Sequence, residues 1–436
     1  MMRKNLFRLA LGSAALGLSV LVLPLASRAL PADVTDPAII PLPAFDAAAA
    51  DPAKAIVVRL DFQSRSTATL DEAVVSIQRA HSHIGDPPIL RLTLKDVDGA
   101  VISQMNAWSP LWVFTNDGQE RLEIQSSGSG SFVVPFAPGL STMTVRDIDL
   151  AQDVISVDLE APIRDFCIAN PSDPDCVEAD LSVDAITPTA PLFAVVGEPV
   201  TVSIASTVSN AGPDGPVDAE VTRAATAGAG LTLSPTVSDT VDVDALAVGV
   251  PRQSVKTYTV SCTEAGVRTI DFTTSIAPKL AAVVDPDATD NSKTVQLSVD
   301  CAVPVTINVQ PKSKVNPVNR NGSTLPVAVL TTAVGEYGHT IAFNATTIDP
   351  LSVRFSSRSV LLAAGGVPEI HGKIHPEDSY ELDESTRDGD LDVLLHFAPR
   401  KDSLASSDVE GCVFGRFAGV SGSTAFFGCD HISVKK

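Results

Sequence analysis

Short runs rich in β-branched and apolar residues, each closed off by Gly, Pro, Asp or Asn, recur from residue 55 to the end of the chain. Residues 55–60 (AIVVRL), 89–94 (ILRLTL), 132–136 (FVVPF), 143–145 (MTV) and 295–299 (VQLSV) are examples. Runs this short cannot be ordinary helices, and closely spaced strands with turn residues between them indicate β-sandwiches. Asp96-Val97-Asp98-Gly99 reads as a hairpin turn, since Asp-Gly tolerates the left-handed conformations needed there. Residues 70–80 fit either an amphipathic helix capped by Asp71 or a strand. Gly128-Ser129-Gly130-Ser131 reads as a polar loop. The expected fold is all-β, with three tandem β-sandwich modules.

The start of the chain has the form of an export signal. Arg3, Lys4 and Arg8 precede an almost wholly apolar stretch over residues 9–25, and Ser27-Arg28-Ala29 supplies small residues at the two positions that a signal peptidase reads. Cleavage is expected after Ala29. A retained membrane anchor is the alternative, but the stretch is short for a span and Pro24 interrupts it. Cleavage would remove four basic residues, Arg3, Lys4, Arg8 and Arg28, and no acid, taking the formal charge from −21 to −25. Such a surface repels nucleic acid and anionic membranes. It suits solvation, a cation or a cationic partner.

In an exported chain the six cysteines are expected to form disulfides. Their positions suggest the local pairs Cys167–Cys176, Cys262–Cys301 and Cys412–Cys429. A metal cluster would need a close C-x-x-C pair, which is missing, and a nucleophilic cysteine would leave an odd partner.

These signals divide the chain into a signal peptide (1–29), a flexible Pro/Ala/Asp-rich linker (30–54), an N-terminal β-sandwich (55–162), an exposed, disulfide-closed linker (163–177), a second sandwich (178–302) and a C-terminal β-domain (303–436). Residues 197–204 (GEPVTVSI), 208–213 (VSNAGP) and 285–292 (DPDATDNS) occur in that order in the second sandwich. This order resembles the Ig-like repeat modules of bacterial surface proteins, including the CARDB type, and implies an Ig-like sandwich. Asp285, Asp287, Asp290 and Asn291 are candidate calcium ligands there, with a solvated turn as the alternative.

Residues 307–313, 325–330, 348–355, His371-Gly372, 388–397, Gly411-Cys412 and 428–430 are similar to a β-domain common at the ends of bacterial and archaeal secreted proteins. That domain has no settled activity. Its pattern includes "H-G-H", then "D-x-D-G-D-G-x-x-D-L-x-L-H-F". Here Glu384 and Thr386 stand where its first two Asp residues would be, and Lys373 stands at its second His. The resemblance therefore carries over Asp388, Asp390 and Asp392 as candidate metal ligands, with Glu384 as a fourth and calcium as the ion. An acidic turn without an ion is the alternative.

His371 and His375 are four apart. Pro368 and Pro376 argue against a helix, so the zinc-helix motif is excluded, and Gly372 replaces the Glu it requires. In a strand the two would share a face, either as a metal pair or as hydrogen-bonded surface histidines. His396 reads as structural; His81 and His83 are isolated. Trp108 and Trp112 offer a sugar-stacking platform or simple packing. No nucleophile elbow, phosphate loop or dinucleotide fingerprint occurs.

The expected function is a secreted or cell-surface (or periplasmic), non-enzymatic protein acting in binding, adhesion or envelope structure. Its partner would be a protein or glycan at the cell surface, with no nucleic acid and no transmembrane segment after signal cleavage. A metal-dependent hydrolase or carbohydrate-binding accessory is the alternative. It needs His371, His375 and the Asp388–Asp392 loop to converge in a cleft. A calcium-dependent filament or surface-layer subunit is a third reading.

Overall fold

The computed structural model describes residues 54–78, 80, 89–116, 120–236, 238–418 and 424–435. Residues 1–53, with the expected signal peptide and linker, and His81 and His83 lie outside the described residues. Nearly all regular structure is β, with two short α-helices, Glu160–Ala169 and Arg358–Leu362, and two single 3-10 turns among the described residues.

In the N-terminal part, strand Ala55–Ser64 pairs with Thr67–Ser76 on one side and Gly128–Pro135 on the other. A four-stranded sheet faces it, in the order Val101–Ala107, Leu90–Asp96, Leu140–Asp147, Gln152–Asp158. Alternation turns Ile56, Val58, Leu60 and Phe62 inward against Leu90, Leu92, Leu94, Met143 and Val145. The turn at Gly99 has φ +79°, as the Asp-Gly signal requires.

Of the two readings of residues 70–80, strand holds over Thr67–Ser76, so Asp71 caps nothing. Two local expectations change. Gly128-Ser129-Gly130-Ser131 is the start of a strand, not a loop. Pro110 lies so close to this segment that a Cβ at Gly130 would meet its Cγ at 3.0 Å, which is why glycines occupy it. Residues 168–172 and 174 are exposed, as expected of a loop, but the segment 163–177 is more than a spacer. Helix Glu160–Ala169 buries Ile163 and Cys167 in the N-terminal core, where Cys167 bonds Cys176. Lys54 secures the segment further through ion pairs to Asp173 and Asp175, and its ammonium lies 5.3 Å from the Phe136 ring and 5.8 Å from Phe166. Lys54 is thus part of this unit rather than of the preceding linker.

The middle part is two facing sheets. One has the order Leu231–Ser234, Arg252–Cys262, Pro199–Pro213, Val177–Thr189, Val283–Val284. The other runs Asp239–Leu246, Val217–Ala227, Gly266–Pro278, Ser292–Pro304. Leu181, Val202, Ile204 and Val260 meet Val221, Ile270 and Phe272 between them. Cys262–Cys301 ties one sheet to the other. Asn210 is fully buried and organises the turn after its strand: its Oδ1 accepts from Gly212 N, and its Nδ2 donates to Asp214 O and Leu246 O.

Asp239 also bridges the sheets. It accepts from Arg223 in its own sheet and Lys256 in the facing one, both at 2.6 Å, and both cations are buried. Burial pushes the Asp239 carboxyl up, but the two cations outweigh it and hold it below the usual range. A depressed folded-state value stabilises the fold above the unfolded value of about 3.9, and that contribution is lost as pH falls through the folded value. Asp239→Asn should therefore lower the denaturation midpoint more at pH 7 than at pH 3. Equal losses at both would remove charge from the explanation.

In the C-terminal part, Ile307–Val309, Leu325–Val329, Asp392–Phe397 and His375–Glu377 form one sheet in that order. The apolar run Leu325–Val329 is an interior strand, as its composition indicated. Ile348–Ser356, Glu410–Phe417 and Ala425–His431 pair into the facing layer, with Cys412 bonded to Cys429 on neighbouring strands. Phe355 stacks on Phe397 across the core at 5.4 Å.

Main-chain pairing joins these parts. Strand Ser292–Pro304 of the middle part continues into parallel pairing with Ala425–His431, through Val303↔Phe426 and Pro304↔Phe427. Phe193 fills the same junction, with ring centroids 4.5 Å from Phe414 and 5.1 Å from Phe427. At the other junction Val177 pairs with Val283, while Ala281 and Ala282 enter the N-terminal core.

Candidate cation sites

Residues 378–392 fold the acidic turn back onto the start of strand Asp392–Phe397. Gly389, at φ +92°, permits the reversal. Asp392 is fully buried. Its Oδ1 accepts from Thr331 N at 2.7 Å and its Oδ2 from Ser379 N at 3.0 Å, so it fastens three segments. Burial pushes its carboxyl up against the pull of those two amides. Asp388 Oδ1 accepts from Asp390 N at 3.0 Å. Asp390 is pushed up to about 7 by burial and by the Asp392 and Asp388 carboxylates beside it, and its Oδ1 is buried with no hydrogen-bond partner among the described residues.

Glu381 is a fourth carboxylate of this group. It is buried, accepts from the Tyr337 hydroxyl, and is pushed up by burial and then by Asp388 and Asp392 despite that bond. No local spacing marks Glu381 as a partner of residues seven or more positions away; the fold brings it there. Glu384 faces elsewhere. Its Oε2 accepts from Lys312 N, and its charge acts on Asp430, whose carboxylate binds Val309 N and Asn316 Nδ2. The structure therefore gathers Asp388, Asp390 and Asp392, and turns Glu384 toward Asp430.

The turn at 285–291 in the middle part is largely satisfied by itself. Asp285 accepts from Leu181 N, Asn291 Nδ2 and Asp287 N at 2.9–3.0 Å. Burial and then Asp287, Asp180 and Asp285 push Asp290 up, which adds Asp180 to the residues that sequence had marked. Asp180 Oδ1 and Asn291 Oδ1 are buried without partners among the described residues.

Three histidines meet at the edge of the C-terminal sheet. His375 opens the edge strand His375–Glu377, in register with Leu394. His396 lies two residues beyond Leu394 and so on the same face. His371 comes from the preceding turn, which Gly372 closes at φ +63°. His371 Nδ1 and His375 Nε2 are 3.2 Å apart, and one nitrogen of each of the three lies within 4.8 Å of the others. Burial, followed by His371 and His375, pushes His396 down. His396, read from sequence as structural, is thus a member of this cluster; cross-strand register, invisible to local spacing, puts it there.

Trp108 and Trp112 meet edge to face at 75°, with Trp108 Nε1 donating to Trp112 O at 3.0 Å. The two rings do not share one plane.

No protein-family model and no curated protein matches the chain. Among solved structures it is similar to the CARDB domain of the PF1109 protein in complex with di-metal ions from Pyrococcus furiosus (19% identity over 29% of this chain and 94% of that one, TM-score 0.19). It is similar also to the B domain of a biofilm associated protein (7% identity, 57% and 78% coverage, TM-score 0.18) and to Bacteroides uniformis beta-glucuronidase 2 (13%, 62% and 28%, TM-score 0.20). Scores of this size carry no argument for fold or function.

Proposed function

We propose that the chain is an exported, non-enzymatic protein of three β-sandwich modules that acts in binding, adhesion or envelope structure, with calcium stiffening its C-terminal module. The observation that carries this reading is the continuous backbone pairing from the middle part into the C-terminal part, through Val303↔Phe426 and Pro304↔Phe427. Modules joined by shared strands and filled junctions do not hinge over a substrate. They hold surface loops at fixed spacing, which suits recognition by a rigid scaffold. Three disulfides among the described residues fit an oxidising location. No helix among the described residues is long and apolar enough to cross a membrane.

The hydrolase alternative needs the histidines and the acidic loop in one cleft. His375 stands opposite Leu394 and His396 lies four residues from Asp392, about 7 and 13 Å along the strand at the usual rise. The three imidazoles group with no carboxylate of that loop, which supports the non-enzymatic reading.

Calcium is supported by the mutual repulsion within Asp388, Asp390, Asp392 and Glu381 and by the unpartnered Asp390 oxygen. A hard cation relieves both. The melting temperature should rise in millimolar calcium relative to EGTA. At a hundred times the dissociation constant, the gain is about 2.7 kcal/mol. Asp388→Ala and Asp390→Asn should abolish the rise. Asp392→Ala should destabilise with or without calcium, because two amides lose their acceptor. Identical wild-type melts in both buffers would remove calcium from the proposal. The binding role is tested by adsorption of the purified chain to envelopes of the producing cell; no saturable adsorption under either condition would overturn it.

A further inference from the structure

We propose that His371, His375 and His396 together bind one transition-metal cation of the zinc(II) class, at a site separate from the acidic loop. Three imidazoles from three segments converge there, with ring centroids 4.7–5.3 Å apart. A tetrahedral ion with metal–nitrogen bonds of about 2.0–2.1 Å holds its ligands about 3.3–3.4 Å from one another. His371 Nδ1 and His375 Nε2 already stand at 3.2 Å. The third nitrogen closes by side-chain rotation, which the exposed rings of His371 and His375 allow.

A simple hydrogen bond between His371 and His375 does not account for the cluster. It satisfies one nitrogen of each and leaves His396 Nδ1, which is buried and has no partner among the described residues. An ion accepts a lone pair from all three.

The support around the cluster is also that of a built site. The Glu369 side chain is fully buried, and among the described residues all that it accepts comes from this site: His371 N at 2.7 Å, Gly372 N, and His396 N at 3.3 Å. Its Oε1 lies 3.8 Å from His371 Nδ1. One carboxylate thus fixes the backbone of two of the three histidines and places negative charge beside the ion. Three neutral nitrogens select zinc(II), cobalt(II), nickel(II) or copper(II) over calcium, which takes oxygen. With His371 and His375 exposed, the fourth position opens to water. The ion would tie the edge strand His375–Glu377 to the turn before it and to strand Asp392–Phe397.

The test is a titration of the full chain, made without a polyhistidine tag and stripped with EDTA. Cobalt(II) is followed by its visible absorption and zinc(II) by calorimetry. One equivalent is expected, with the strong absorption of tetrahedral cobalt. His371→Ala and His375→Ala, both at exposed positions, should each weaken zinc about a hundredfold or more while leaving the metal-free circular dichroism unchanged. Glu369→Gln should weaken it about 10- to 100-fold. A wild-type chain without saturable binding overturns the proposal. So does binding that survives both alanine substitutions, or binding indifferent to His396→Gln in a variant whose circular dichroism is native. None of these outcomes depends on calcium or on the binding role proposed above.

Discussion

Replacing both Cys262 and Cys301 by alanine is expected to cost about 4 kcal/mol, the largest loss from any of the three disulfides. The chain-entropy relation gives about 4 kcal/mol for a closure of 39 residues, about 3 for the 17 of Cys412–Cys429 and about 2.6 for the 9 of Cys167–Cys176. Position reinforces the ranking. Cys412 and Cys429 face each other on strands already paired by backbone bonds, so their link restrains little that the hairpin does not. Cys262 and Cys301 lie on opposite sheets of one sandwich and are both buried, so their link also resists separation of the layers. Denaturant midpoints of the three paired variants measure this. A Cys262/Cys301 variant no less stable than the Cys412/Cys429 variant would refute the account.

Gly428→Ala is expected to cost about 3 kcal/mol or more, because there is no room for one methyl group. A Cβ at this position would meet Val305 O at 2.2 Å and Val305 Cγ2 at 2.9 Å. The obstruction is backbone, so rotamer changes cannot relieve it. Moving either strand apart would break the Val305 N to Phe427 O bond at 2.9 Å and the parallel pairing beside it. Overpacked cores usually lose about 1–3 kcal/mol, and a blocked backbone belongs at or above the top of that range. Gly139, with nothing within 4 Å of its Cβ position, provides the control. The unfolding midpoint should fall sharply for Gly428→Ala and hardly at all for Gly139→Ala; equal effects would mean that the junction yields.

Strand runs, disulfide partners and the interior strand Leu325–Val329 were legible in the residues because each depends on local spacing. Alternation selects a face, short Gly- and Pro-bounded runs exclude helices, and near neighbours in sequence close disulfides most readily. The same reasoning misread residues 128–131 as a loop and missed that the start of 163–177 is helix packed into the N-terminal core. Glycines and acidic residues mark loops only when nothing packs on them. Here Pro110 presses on the first segment, and Lys54 with the N-terminal core holds the second.

The candidate sites divide in the same way. Asp388, Asp390 and Asp392 are near each other in sequence, and a glycine turn keeps them so in space; their grouping was readable. Glu381, Asp180 and His396 join their clusters only through strand register and loop return, and Glu384 leaves its expected group because Lys312 N–H binds its carboxylate. Local composition by itself determined a β chain with three cysteine pairs and an acidic turn. Which distant side chains share a site, and which modules are welded through Val303 and Phe193, was decided by tertiary structure alone, since pairings between remote strands leave no period in the sequence.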